Sequence, residues 1–349
     1  MIEDDELAAM MDSLGMLVGR ATSRDELDAA LVEFGWLDLM DESPQAAVRG
    51  LFELLGEQYW MSAALSWVMV RAALPDEPGG SLPEWGTVVP HRGWGSVAHE
   101  VDDGSFALDG LLLPCAPNGR RVLLPAATAT GLRLLVVERE QLKLGPVRGL
   151  DPEGGLQRIG GSIEIGRADE AKVGDPEAAW SDAVTAGRRA LGHQIAGTIT
   201  AMLDSAIEHA RVREQFGQAI GSYQAVRHRL AETRVALEAA RDGLTASWDD
   251  DTDHAAICAK ALSGRSLRDA SRHCQQVLAG MGFSAEHVFP SLYKRGVTLD
   301  ALLGSSMELT VALGDALASG KRLLPLTGLD HPVSEPIGTS LHRSHRSWR

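Results

Sequence analysis

The chain has little of what marks several large functional classes. Three cysteines, Cys115, Cys258 and Cys274, occur in 349 residues without C-x-x-C spacing. Neither a zinc site nor a disulfide framework is indicated, and all three are expected to be buried or inert thiols. Positive charge is scarce: 33 Lys and Arg against 48 Asp and Glu leave a formal charge of -15. General binding to nucleic acid or to an anionic membrane requires a clustered positive surface, so neither partner is expected. No apolar run approaches a membrane span, and the acidic start Met1-Ile2-Glu3-Asp4-Asp5-Glu6 is unlike a basic signal or transit peptide, which points to a cytoplasmic location. There is no P-loop, no H-E-x-x-H and no G-x-S-x-G. The eleven histidines are dispersed, and His99-Glu100 and Glu286-His287 read as structural residues, not metal ligands.

What is present divides into three patterns. Up to about Ala73 the apolar residues recur at helical spacing, as in Leu7, Met10, Met11, Leu14 and Val48, Leu51, Phe52, Leu55. This gives a helical domain over 1–74. The Pro- and Gly-dense run Leu74 to Pro83 stops it. A β domain over 75–174 follows, with short strands around Phe106-Ala107-Leu108, Arg121 to Leu124 and Leu132 to Val137, and Asp102-Asp103-Gly104 as a candidate hairpin turn. From Asp175 long helices return. Leu191, Ile195, Ile199, Leu203 and Ile207 advance by four on a helix ending near Arg213. A second helix starts at Tyr223, and the acidic turn Trp248 to Asp253 ends it and caps a third, which runs to about Ala279. A fourth covers roughly Asp300 to Leu323. These read as a four-helix bundle over 175–328, followed by an extended or disordered tail over 329–349. Mostly α with a small, antiparallel, barrel-like β domain is the fold class expected.

The stretch Arg213-Glu214-Gln215-Phe216-Gly217, with Gln224 seven residues on, resembles the R-x-x-F-G signature of the acyl-CoA dehydrogenase superfamily. Gln276 and Gly280 resemble the same family's Q-x-x-G-G segment, with Ala279 in place of the first paired glycine. The resemblance implies that Arg213, Gln215, Phe216, Gln224, Gln276 and Gly280 contact the ADP half of an FAD held at a subunit interface. An always-charged, bidentate guanidinium is what a diphosphate requires. Gly280-Met281-Gly282-Phe283-Ser284-Ala285 also fits G-x-G-x-x-A, but it follows a helical run where a Rossmann turn follows a strand.

The family reaction is α,β-dehydrogenation of an acyl-CoA, and it needs a carboxylate base. At one family position for that glutamate the chain has Leu303, and at the other Gly187; no Asp or Glu occurs between Ala183 and Leu203. The family's flavin-ring contacts are also reduced, to Asp76 to Leu82 and Leu112-Leu113-Pro114. The run Gly282 to Arg295 resembles a G-F-T-x-E-H, six residues, K-R variant of actinobacterial heteromeric α2β2 enzymes of sterol degradation. By that resemblance no residue of this chain is catalytic, no metal is bound, and the expected partners are a homologous chain bearing the Glu in a heterotetramer, an acyl-CoA, and an electron-transfer flavoprotein. Two other readings stay open. One is a complete homo-oligomeric enzyme with a displaced acid at Asp182, Asp300 or Glu308, and the other a flavin-free scaffold.

Overall fold

The computed structural model describes residues 4–320 except 78, 102–104, 165, 167 and 251. The proposed tail and the Asp102 to Gly104 turn lie outside the described residues, although Val101 and Ser105 on either side of that turn are paired. Among the described residues, five α-helices come first: α1 (Asp4–Arg20), α2 (Arg24–Phe34), α3 (Trp36–Glu42), α4 (Pro44–Glu57) and α5 (Ala64–Ala73). Each turns an apolar stripe inward; on α4 it is Ala47, Val48, Leu51, Phe52 and Leu55. Burying several such side chains at about 1.5–3 kcal/mol each is what holds helices of this length in place.

The strands that follow among the described residues are β1 (Trp85–Val89), β2 (Ala98–Val101), β3 (Ser105–Leu112), β4 (Arg121–Thr128), β5 (Gly131–Glu138), β6 (Lys143–Pro146), β7 (Gln157–Glu164) and β8 (Asp169–Glu170). Strands β1 and β2 each pair antiparallel with β3 and parallel with β4, closing a four-strand ring around Val88, Val97, Phe106 and Leu124. β7 and β6 extend the sheet from β3, and β5 and β8 from β4.

The third layer is built from α6 (Pro176–Val212), α7 (Gln224–Asp249), α8 (Asp253–Leu278), α9 (Phe289–Ala301) and α10 (Ser306–Ala318). α6 is buried along most of its 37 residues. It crosses α4 where Gly56 and Gly197 meet, and a Cβ on either would strike the other helix's backbone. The side chain that caps α8 is Thr252, which accepts from the Ala255 N–H at 3.1 Å. Asp253 pairs instead with Arg188 at 2.7 Å.

The fourth helix, expected over roughly Asp300 to Leu323, is corrected to α10, and α9 before it is an additional helix that the sequence reading did not include. α9 ends at Ala301, Leu303 and Gly304 adopt φ of +56° and +96°, and α10 restarts with Ser305 and Glu308 forming a capping box. Residues 289–318 taken together are long and apolar enough to span a membrane, contrary to the sequence expectation. The break divides them into two helices of 13 residues, each short of the ~20 that a span needs.

One buried ion pair joins all three layers. Arg295 on α9 donates to the Asp151 carboxylate between β6 and β7 and to the Tyr59 carbonyl after α4, and both charged side chains are almost fully enclosed.

Candidate cofactor-contact surface and base position

Between α6 and α7 the chain forms a two-residue hairpin, β9 (Glu214–Gln215) against β10 (Gln218–Ala219). Its turn residues Phe216 and Gly217 have φ of +55° and +82°, the pair of left-handed conformations that a type I′ turn demands. Phenylalanine is a costly choice there, since a side chain in the left-handed region loses about 1–2 kcal/mol. It is also 94% exposed. The hairpin is latched to α7 by the Tyr223 hydroxyl, which donates to the Gln215 carbonyl at 3.0 Å.

The sequence-chosen residues gather at this end of the bundle. α7 and α8 pack against each other, with Thr233 Oγ1 and His273 Nδ1 3.2 Å apart, so Gln224 and Gln276 both lie toward the hairpin. The end of α6 reaches the segment after α8 through Ser205 and His287, 3.4 Å apart. Partial burial, with Arg213 and His287 nearby, holds His209 below the usual histidine range. Arg213, Gln215, Gln224, Gln276 and Gly280 are all exposed. The Arg213 guanidinium and the Gln224 and Gln276 amides make no hydrogen bond among the described residues, and beside them Met281 and Phe283 are 50% and 78% exposed. This is a donor-rich, apolar-flanked surface that the chain itself does not use.

Ala279 explains the paired glycines of the resembled motif. Its φ of +50° and ψ of -127° belong to a region that glycine alone enters without strain.

The two positions for a carboxylate base converge on one spot. A Cβ on Gly187 would stand 2.5 Å from Leu303 Cδ1 and 3.0 Å from Met69 Cγ, and Leu303 and Met69 are buried in the same apolar core. Arg188 and Lys260 frame this corner. Arg188 Nε donates to the Leu303 carbonyl at 3.2 Å. Lys260 Nζ donates to the carbonyls of Asp300 at 3.0 Å and Gly304 at 3.4 Å. Burial pushes the Lys260 ammonium down to about 8 against the pull of Asp300. The remaining acids nearby have structural tasks: Asp300 accepts from the Ser306 N–H and hydroxyl, and Glu308 closes the α10 cap.

The segments resembling flavin-ring contacts also have other roles. Asp76 to Leu82 precedes β1, and Glu77 there accepts from Ser81, Trp85 and Arg121. Leu112 and Leu113 are buried, and the Pro114 carbonyl accepts from Ser66. Sequence reading missed Trp94, which packs over Arg188 beside the base corner. It lies between β1 and β2, and its ring atoms would be 2.9 and 3.0 Å from a Cβ on Gly304. No local pattern ties position 94 to 304; only the flanking Gly93 and Gly95 marked the loop.

Residues 178–309 match the family model for the acyl-CoA dehydrogenase C-terminal domain. Two solved structures superpose on the chain almost throughout. The Tcur3481-Tcur3483 steroid ACAD G363A variant does so with a TM-score of 0.73 and 19% identity, over 90% of this chain and 98% of that one. The ChsE4-ChsE5 complex from Mycobacterium tuberculosis gives 0.68 and 19%, over 91% and 98%. This is the acyl-CoA dehydrogenase fold.

The resemblance to the acyl-CoA dehydrogenase superfamily and the fold class expected from the order of elements are thus borne out. Among relatives of the superfamily, the chain is 29% identical to acyl-CoA dehydrogenase IpdE2 of Mycobacterium tuberculosis over 284 residues, 74% of this chain and 83% of that protein. It is 35% identical to acyl-CoA dehydrogenase FadE34 of the same organism over 123 residues. That second match spans 33% of this chain but only 17% of FadE34.

The superfamily implies FAD, and the residues present fit it by halves. The exposed guanidinium, amides and aromatic at the hairpin end suit an adenosine diphosphate. The corner around Leu303 does not suit a flavin ring, because Met69, Leu303 and Trp94 fill it.

Proposed function

We propose that this chain is the base-lacking subunit of a cytoplasmic, FAD-dependent acyl-CoA dehydrogenase, acting with a homologous chain that supplies the catalytic glutamate in a heterotetramer. The observation that carries the reading is the asymmetry just described: the diphosphate-contact surface is open, whereas the base corner is packed shut with Leu303 against Gly187. FAD would supply the hydride acceptor for α,β-dehydrogenation of the thioester. This chain's own part is to bind and orient. Arg213 places a fixed positive charge on the diphosphate, Gln224 and Gln276 offer amide donors, and Phe216 presents an aromatic face to whatever the hairpin reaches. A carboxylate elsewhere must take the α-proton, because the acids around position 303 are committed to Ser306 and to the α10 cap.

Support for a partner chain and for a bulky, steroid-derived thioester comes from the two-component structures that share the fold, one of them described as a steroid enzyme. Reduced cofactor would pass its electrons to an electron-transfer flavoprotein.

Co-expression with the homologous chain, followed by mass measurement and flavin quantification, tests the reading. Two FAD per four chains are expected. Arg213→Ala should lower FAD affinity of the complex on the order of ten- to a hundred-fold, the effect of losing a charge-assisted pair worth about 1.5–3 kcal/mol. Four FAD per four chains, or unchanged flavin content in the variant, would overturn it.

A further inference from the structure

Trp94 is carried on a Gly93-Trp94-Gly95 loop, with Gly93 at φ +68° and open space around both glycines. The indole lies over the guanidinium of Arg188, whose Cζ is 4.7 Å from the ring centroid. Its benzo edge rests on the Gly304 backbone, and Ile257, Ala261, Leu309 and Leu313 form the apolar wall. Trp180 Nε1 donates to the Trp94 carbonyl at 3.1 Å and fastens the loop.

Arg188 makes this more than a packed tryptophan. The side chain is 1% exposed; Nε is used by the Leu303 carbonyl and Nη1 by Asp253, while Nη2 has no hydrogen-bond partner among the described residues. A buried guanidinium nitrogen without an acceptor is costly. The indole offers it only the π face of a cation–π contact, because its one polar atom is a donor. A planar heteroaromatic ring with nitrogen or carbonyl acceptors at its edge, taking the indole's place, would bring an acceptor to this buried donor.

We propose that the slot between Arg188 and Gly304 is a binding site for a planar, acceptor-bearing heteroaromatic ring, and that Trp94 is its resident occupant. The tryptophan acts as a built-in plug that keeps a ring ligand out of this chain. The inference rests on the base-lacking reading only in explaining why such a plug is useful. Its test involves no partner chain and no turnover.

The full chain carrying Trp94→Gly is titrated with lumiflavin, a flavin ring without its ribityl phosphate tail, and separately with indole. Binding is read by quenching of lumiflavin fluorescence and by the ligand-dependent rise in melting temperature. The variant should bind lumiflavin saturably, at least about ten-fold tighter than the wild type and about ten-fold tighter than it binds indole. Adding Arg188→Met should remove the preference for lumiflavin over indole. Trp67→Ala, which empties the place of a fully buried indole elsewhere, should take lumiflavin no better than the wild type. A folded Trp94→Gly chain without enhanced lumiflavin binding, or equal binding by the Trp67→Ala chain, overturns the proposal. If Trp94→Gly does not fold, refolding of Trp94→Ala is compared with and without lumiflavin. A higher yield with the ligand supports the slot, and no difference refutes it. Loss of the Arg213 effect on FAD would refute the functional reading while leaving this binding result standing.

Discussion

Leu303 packs its Cδ1 against Gly187 so closely that a Cβ on the glycine would lie 2.5 Å away. Gly187→Ala is therefore expected to destabilise by about 1–3 kcal/mol through overpacking. Shortening the partner makes room, so the double variant with Leu303→Ala should be more stable than the sum of the two single effects by about 0.5–3 kcal/mol. Urea denaturation of the four proteins measures this; strict additivity would show that the two side chains do not share space.

Ala279 offers the opposite case. At φ +50° and ψ -127° its Cβ is strained, and Ala279→Gly should stabilise the chain by about 1 kcal/mol despite the added freedom of the unfolded chain. A fall in melting temperature would contradict the backbone conformation assigned to this residue.

Asp28 on α2 is buried, accepting from the Ser62 hydroxyl and the Ala63 N–H, and burial pushes its carboxyl up to about 6 from 3.8. The folded state then holds this proton more tightly than the unfolded one. Its stabilising contribution is full below about pH 4 and is lost as pH rises through about 6, a change of roughly 3 kcal/mol. Asp28→Asn, which keeps an acceptor oxygen but cannot ionise, should flatten the stability profile across pH 4–7. A profile that stays as steep would assign the proton to another group.

The ion pair between Arg295 and Asp151 is nearly enclosed, so Arg295→Ala leaves a buried carboxylate without its cation and should cost about 3–5 kcal/mol. The loss should be read as one cooperative unfolding transition at lower denaturant, because the same guanidinium also holds the Tyr59 carbonyl. Two separated transitions would mean that the layers do not depend on this contact.

Asp300→Asn and Glu308→Gln should each reduce turnover of the assembled enzyme far less than the thousand-fold or more expected for loss of a general base. Their main effect should be on stability, through the Ser306 contacts and the α10 cap. A thousand-fold fall in turnover for either would make it the base.

The long helices were legible because α6 repeats apolar residues every fourth position, and the strands because Val and Leu cluster between turn residues. The last helix was begun too early, at Asp300 and not at Ser306, since Leu302, Leu303, Met307 and Leu309 continue a helical spacing across the turn, and α9 before it was missed. The signal was available in Ser305 and Glu308, spaced as a capping box. The hairpin could be read from its motif, but the Trp94 plug could not. It depends on residues from a β-domain loop, α6 and the turn before α10, which only the folded chain brings together.

The packed corner formed by Met69, Gly187 and Leu303 has a further consequence for how such a chain can change. A lone Leu303→Glu exchange would press a carboxylate into an apolar space with no room for water or for a reacting carbon. A glutamate at 187 would collide with Leu303 and Met69. Restoring a proton acceptor therefore requires several coordinated replacements, each unfavourable by itself. Under the base-lacking reading proposed above, the tight fit works as a ratchet, making a division of labour between unlike subunits hard to reverse by single mutations.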